Sequence, residues 1–384
     1  MDHGTHASRP ISLRGLRRPA FVALAVAVAL IAGVVVAAAP SAGARPVWSV
    51  APSADPTGST SNELFGVSCP STTSCFAVGF TDFHSLMKHW NGSSWSIVTL
   101  PTPAGFSLSD VTCPSTTSCF AVGANHVEHW NGSHWSIMTI PDPTGSVETA
   151  LDAVSCPSTT NCFAVGHYTI PGGIEKTLVE HWNGSHWSIM TNVPNPSGSI
   201  LSDLVSLTCP TTTSCFAVGD YFTASYATNP TLVEHWNGSI WKIMTAPGDG
   251  LLGVSCPSTT SCFAVGYTGN KTLVEHWNGS HWSIMTTPTL AASSLAALRG
   301  VSCPTTTSCF AVGDTYTVDG TLVEHWNGSH WSIMTSPNHT GSTTRLNVLN
   351  GVSCPNTTNC FAVGFYQLSS LGETIDKTLV ERYS

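Results

Sequence analysis

The residues of this 384-residue chain that could do chemistry come in a few recurring arrangements. Fourteen cysteines fall into seven pairs with five residues between the members: Cys69 and Cys75, Cys113 and Cys119, Cys156 and Cys162, Cys209 and Cys215, Cys256 and Cys262, Cys303 and Cys309, Cys354 and Cys360. Each pair could be half a metal site or one disulfide. Zinc needs four ligands, so two thiols would have to recruit partners from elsewhere. An even count with one pair per unit in an exported chain is the pattern of a disulfide framework, and seven local bridges are expected. Histidines recur in H-W-N-G-S-x-W, which starts at His89, His129, His181, His235, His276 and His325. A two-residue turn at Asn131-Gly132 would set His129 opposite His134, and likewise 181 and 186, 276 and 281, 325 and 330. Facing imidazoles could hold a metal, but no third ligand comes with the motif, and Ser94 and Ile240 break the pattern. Packing or surface roles are expected, with no metal and no cofactor. The Asn-Gly-Ser triplets are also glycosylation sequons, although the turn already accounts for Asn-Gly. Asp220 and Asp314 each follow A-V-G directly and could in principle form an acid–base pair. No spacing favours them, and no phosphate loop or Ser-His-Asp arrangement stands out. No residue is assigned as catalytic.

The elements that position these residues are repeats. Every cysteine lies in a copy of C-P-x-T-T-x-C-F-A-V-G, at offsets of 44, 43, 53, 47, 47 and 51 residues. That period is the length of a four-stranded propeller blade. In one unit, Leu252–Cys256, Cys262–Gly266, Thr272–Trp277 and Ser280–Thr286 read as four strands, with Asn278-Gly279 as the hairpin turn. No sustained helical period appears, and Ala291 to Leu298 offers one helical turn at most. The seventh unit ends after its third strand, in Thr378 to Ser384. Its fourth strand is supplied from the N-terminal side by Val47-Trp48-Ser49-Val50, which holds the only tryptophan outside the repeats. The expected fold is therefore all-β: a seven-bladed β-propeller of four-stranded antiparallel blades over residues 45–384, closed by an N-terminal strand that completes the last blade. Closure removes the free sheet edge, which a β-solenoid or two-part array would not do.

Composition and the N-terminus bound the setting. Only 9% of residues are charged, and the net charge is −9, which excludes a basic nucleic-acid footprint and charge-driven disorder. Arg9, Arg14, Arg17 and Arg18 precede an uncharged apolar run from Ala20 to Ala39, followed by Ala42-Gly43-Ala44. Residues 1–44 read as an export signal, or as a retained membrane anchor since the run is long enough to span a bilayer. The remainder is expected outside the cell or on the outer face of its membrane, as a monomer that touches the membrane only through that segment.

The F-A-V-G strand followed by W-N-G-S-x-W resembles the secreted bacterial propellers with BNR or Asp-box-type repeats, including sialidase-like and photosystem II assembly-factor-like proteins. Asn91-Gly92-Ser93-Ser94-Trp95 stands where that family has an Asp-Gly-Gly-x-Thr-Trp turn, one residue shorter and with Asn for Asp. The resemblance implies the fold and carries no activity. Identical words repeated round a wheel do a structural job, so a site is sought where blades differ. The turns after strands one and three are invariant, whereas the stretches after strand two vary. Those stretches hold Phe80, His167, Tyr168, Asp220, Tyr221, Tyr226, Tyr267, Asp314, Tyr316, Phe365 and Tyr366. A rim of Tyr, Asp and small polar residues suits a glycan or protein ligand. Three classes follow: a binding module, a sialidase-type glycoside hydrolase or lyase, and a structural surface protein. Outside residues 1–44 the chain has only Arg45, Arg299, Arg345 and Arg382, too few to favour the arginine cluster of a sialidase.

Overall fold

The computed structural model describes residues 45–384 apart from 102–104, 225–229, 291–294, 317–319, 341–343 and 371–372, and apart from the side chains of residues 345 and 370. The expected export signal and Tyr226 lie outside the described residues. The described residues form 28 strands in seven four-stranded antiparallel sheets and no helix. In six blades the strands follow in sequence order; in the seventh, Trp48–Val50 pairs with Glu373–Tyr383, with Trp48 opposite Tyr383. The first strands of successive blades touch all the way round, from blade 1 (Asn62–Ser71) to blade 7 (Thr344–Asn356) and back, and so wall a central channel. Of Ala291 to Leu298, read as one helical turn at most, residues 291–294 lie outside the described residues and Ala296 to Leu298 begins the first strand of blade 6 (Ala296–Thr305).

Each repeated word has a packing reason. In F-A-V the Phe, Ala and Val are all buried between blades, as is the leucine five residues before each first cysteine, such as Leu64, Leu204 and Leu298. The seven cysteine pairs are disulfides with Cα–Cα distances of 4.0–4.1 Å, each clipping strand one to strand two. The second member of each pair is the deeper one: Cys75, Cys119, Cys162, Cys215, Cys262, Cys309 and Cys360 all lie buried at the start of strand two. With both sulfurs bonded and one of them out of reach of solvent, each bridge is a structural staple and offers no thiol to a metal or ligand.

The phenylalanine beside the second cysteine meets the tryptophan pair of the next blade. Phe76 lies 5.6 Å from Trp130 and 5.3 Å from Trp135, and the seam repeats this with Phe361 on Trp90 and Trp95 and Phe310 on Tyr383. Arg382, which replaces the usual histidine, lies over Trp90 and over Phe361, its own blade's equivalent of the ring the histidines stack on. At six of the seven junctions the hydroxyl just before one blade's first cysteine accepts the cysteine N–H of the next blade, from Cys113 on Ser68 to Cys69 on Ser353.

The final glycine of F-A-V-G faces an irregularity. In six blades strand one bulges at the residue four before its first cysteine, leaving Phe65, Asp152, Val205, Leu252, Arg299 and Asn350 unpaired with strand two. A Cβ on the opposing glycine, Gly266 for example, would collide with the carbonyl oxygen two residues before the bulge. Only glycine admits that approach.

The W-N-G-S turn differs from the expected two-residue hairpin. Trp130 pairs directly with Trp135, and His129 stands opposite Ser136, not His134. The loop has four residues: Asn131 Oδ1 accepts the N–H groups of Ser133 and His134, and only Gly132 takes positive φ, at 92°. The facing imidazole pairs therefore do not form. The motif histidines stack instead on the phenylalanine of their own blade, as His89 does on Phe76 at 4.5 Å. The first tryptophan of each motif donates its Nε1–H to a carbonyl of the C-P-x-T-T turn, Trp90 to Thr72 O for instance, which ties both invariant turns together on one rim.

The glutamate of V-E-H-W in five blades, and of V-E-R-Y in blade 7, is fully buried: Glu128, Glu180, Glu234, Glu275, Glu324 and Glu381. Desolvation raises all six, to about 8 for Glu180 and Glu234 and to about 7 for the others. Blade 1 has Lys88 at this position, held by Ser53, Asp55 and Thr378.

Candidate functional site

A β-bulge re-aims the side chain it carries. Here the bulged residues line a narrow channel of about 220 Å³. Reading the same column round the wheel gives Phe65, Ser109, Asp152, Val205, Leu252, Arg299 and Asn350, seven different residues directly after a leucine that every blade repeats. The channel mouth is thus chemically asymmetric although its frame is repetitive.

On blade 6, Arg299 Nε donates to Asp314 Oδ1 at 2.7 Å and its Nη2 to the Tyr316 hydroxyl at 2.7 Å. Burial raises the Asp314 carboxyl, and the guanidinium opposes that shift. Leu252, Tyr267, Leu295, Ala296, Ala297, Arg299 and Tyr316 enclose an open groove of about 450 Å³ between blades 5 and 6. Leu252 and Arg299 also line the channel, so groove and channel are continuous.

On the far side, His167 Nδ1 lies 3.2 Å from Asp203 Oδ1 and 3.5 Å from Asp152 Oδ2. The two carboxylates beside it push His167 up to about 10, and burial raises Asp152. Near blade 1, Glu63 is pushed up to about 7 by burial and by repulsion from Asp376. Phe65 and Phe80 place their rings 5.7 Å apart, and Asn350 Nδ2 donates to Leu64 O.

The predicted residues divide by strand alternation. Tyr267, Asp314 and Tyr316 gather at the groove, His167 joins the aspartates, and Phe80 meets Phe65. Tyr168, Tyr221 and Tyr366 pack against the core shared with the preceding blade, Tyr366 also stacking on His339 at 3.9 Å. Phe365, half-buried, pairs with Val348 and Thr378. Asp220 stands opposite Asp203 on blade 4, with blade 5 between it and Asp314. The residues missed are those of the bulge column together with Glu63 and Asp203. The available signal was two variable columns on either side of an invariant leucine, one holding the bulged residues and the other Glu63 and Asp203.

The sequence matches no family model and no curated relative. Solved structures share the fold. YCF48 bound to D1 peptide superposes with a TM-score of 0.55 at 12% identity, over 87% of this chain and 99% of that one. YCF48 from Cyanidioschyzon merolae gives 0.55 at 11%, over 88% and 98%. U3-55K gives 0.58 at 10%, over 88% and 98%. At these identities the likeness is one of architecture: this chain is a seven-bladed β-propeller, and its site must be argued from its own residues.

Proposed function

We propose that the protein is an exported, non-catalytic binding module that takes an extended protein segment across the variable rim, at the channel mouth and the groove between blades 5 and 6. The observation that carries this reading is the bulge column. Seven different side chains line one channel, each directly after a leucine that every blade repeats, and the groove beside Arg299 is open. Its lining of Leu252, Leu295, Ala296 and Ala297 with two tyrosines suits an apolar side chain better than sugar hydroxyls, which would find few polar partners there. Glu63, Asp152, Asp203 and Asp314 outnumber Arg299 and His167 around the mouth, which favours basic residues flanking that side chain. A propeller of the same architecture solved with a peptide is in keeping with this use. The disulfide framework and the signal-like N-terminus support export of a secreted or surface-held protein of the Asp-box-like kind.

Peptide and glycan arrays probed in parallel with the purified, disulfide-intact protein test the proposal. Binding to peptides with an apolar residue beside Lys or Arg, abolished by Tyr267→Ala with Tyr316→Ala, is expected. Glycan binding in place of peptide binding, silence on both arrays, or peptide binding indifferent to those substitutions would overturn it.

A further inference from the structure

Asp152, His167 and Asp203 come from three strands of two blades, and no repeat motif supplies them. We propose that they form a divalent-cation site of the zinc-binding class at the channel mouth, clipping blade 3 to blade 4. The geometry is that of ligands around an ion. Two donors each roughly 2.0–2.1 Å from zinc at the tetrahedral angle stand about 3.3–3.4 Å apart. The observed separations are 3.2 Å from Nδ1 to Asp203 Oδ1 and 3.5 Å from Nδ1 to Asp152 Oδ2, and all three donor atoms lie within 4.8 Å of one another. A charge-assisted N–H···O bond prefers about 2.7–2.9 Å. One Nδ1–H therefore serves neither carboxylate well, whereas an ion can take the nitrogen and both carboxylates as ligands at once. Asp152 Oδ2 is buried and accepts no hydrogen bond, an orphaned acceptor turned toward the imidazole nitrogen.

Charge points the same way. A protonated imidazole between two carboxylates leaves a net negative site, while a dication with neutral imidazole closes to zero. The side chains are 21–28% exposed, and Asp152 lines the channel, so a fourth ligand position opens to solvent or to an incoming donor group. The bulge at Asp152 makes this possible: in regular pairing the side chain would keep the alternation of its strand. The site does not depend on the apolar groove of the peptide reading, although a bound dication cancels the charge that Asp152 and Asp203 contribute to the preference for basic flanking residues.

The test is calorimetric titration of the purified full chain, freed of metal by chelator, with zinc chloride, and with calcium chloride in parallel. Melting curves with and without each ion accompany the titrations. The expected result is one zinc per chain, a higher melting temperature with zinc, and weaker calcium binding. Asp152→Asn, Asp203→Asn and His167→Gln should each weaken zinc binding roughly tenfold or more. Each should also melt cooperatively and lose the zinc-dependent shift. His134→Ala and His186→Ala, on exposed turns, should change neither readout. No zinc heat and no melting shift, undiminished affinity in the Asp152→Asn, Asp203→Asn double variant, or binding that disappears with the turn histidines would overturn the proposal.

Discussion

A carboxylate taken out of water keeps its proton unless something replaces the lost solvation. The six buried third-strand glutamates show this at the scale of single residues. Glu275 has one donor, the Gly248 N–H at 2.7 Å, and Glu381 has the Ser336 hydroxyl at 2.7 Å. The consequence is a pH dependence whose sign can be worked out. An acid raised on folding stabilises the fold below its unfolded value of 4.5, and that stability is lost as pH rises through folded values of about 7 to 8. The six motif histidines are lowered by burial from 6.5, so their contribution is present above that value and lost as pH falls below it. The two sets oppose one another in mild acid. Above 6.5 Glu63, raised to about 7, and His167, raised to about 10, act in the same direction as these glutamates, so the melting temperature should fall between pH 6.5 and about 8.5 in calorimetry at constant ionic strength. Glu234→Gln should make that fall shallower. A melting temperature that climbs over this interval would show that these carboxyls are not held neutral.

One scale up, the first hairpin of each blade is a bulge, a glycine and a disulfide acting together. The bulge brings a carbonyl against strand two, F-A-V-G ends in the one residue that admits it, and the bridge fixes the register beyond. Gly266→Ala should therefore destabilise by about 3 kcal/mol in chemical denaturation, far more than an ordinary strand substitution. A loss of a few tenths would mean that the bulge can relax. This unit also explains what could be read in advance. The strands, the cysteine bridges and the blade count follow from residue types at fixed spacing. The bulge is a backbone event, and its mark in sequence is only a variable column beside an invariant leucine, so Asp152, Leu252 and Asn350 stayed out of view while the tyrosines after F-A-V-G were found. The W-N-G-S turn misled for a related reason. Asn-Gly most often fills a two-residue turn, but Asn131 uses its side chain to cap a four-residue loop, and the histidine register moves with it.

For the molecule as a whole, closure converts seven similar hairpin stacks into one wheel with two unlike rims. Trp48 is the closing residue, 6% exposed and packed 5.5 Å from Tyr383 and 6.2 Å from Phe310. Trp48→Ala should cost about 3–5 kcal/mol, the range for a buried tryptophan, and should leave the seven disulfides intact by mass. Unchanged stability would mean that the seam carries no load. The invariant rim holds the disulfide and W-N-G-S turns, while the variable rim holds the bulge column, the groove and the acidic mouth, so recognition is assigned to one rim only. Hydrogen exchange with and without a bound array-selected peptide tests this assignment most directly. The account predicts slowed exchange confined to the groove strands, at Tyr267 and from Leu295 to Arg299. Protection concentrated at the W-N-G-S turns, or spread evenly over all seven blades, would contradict it.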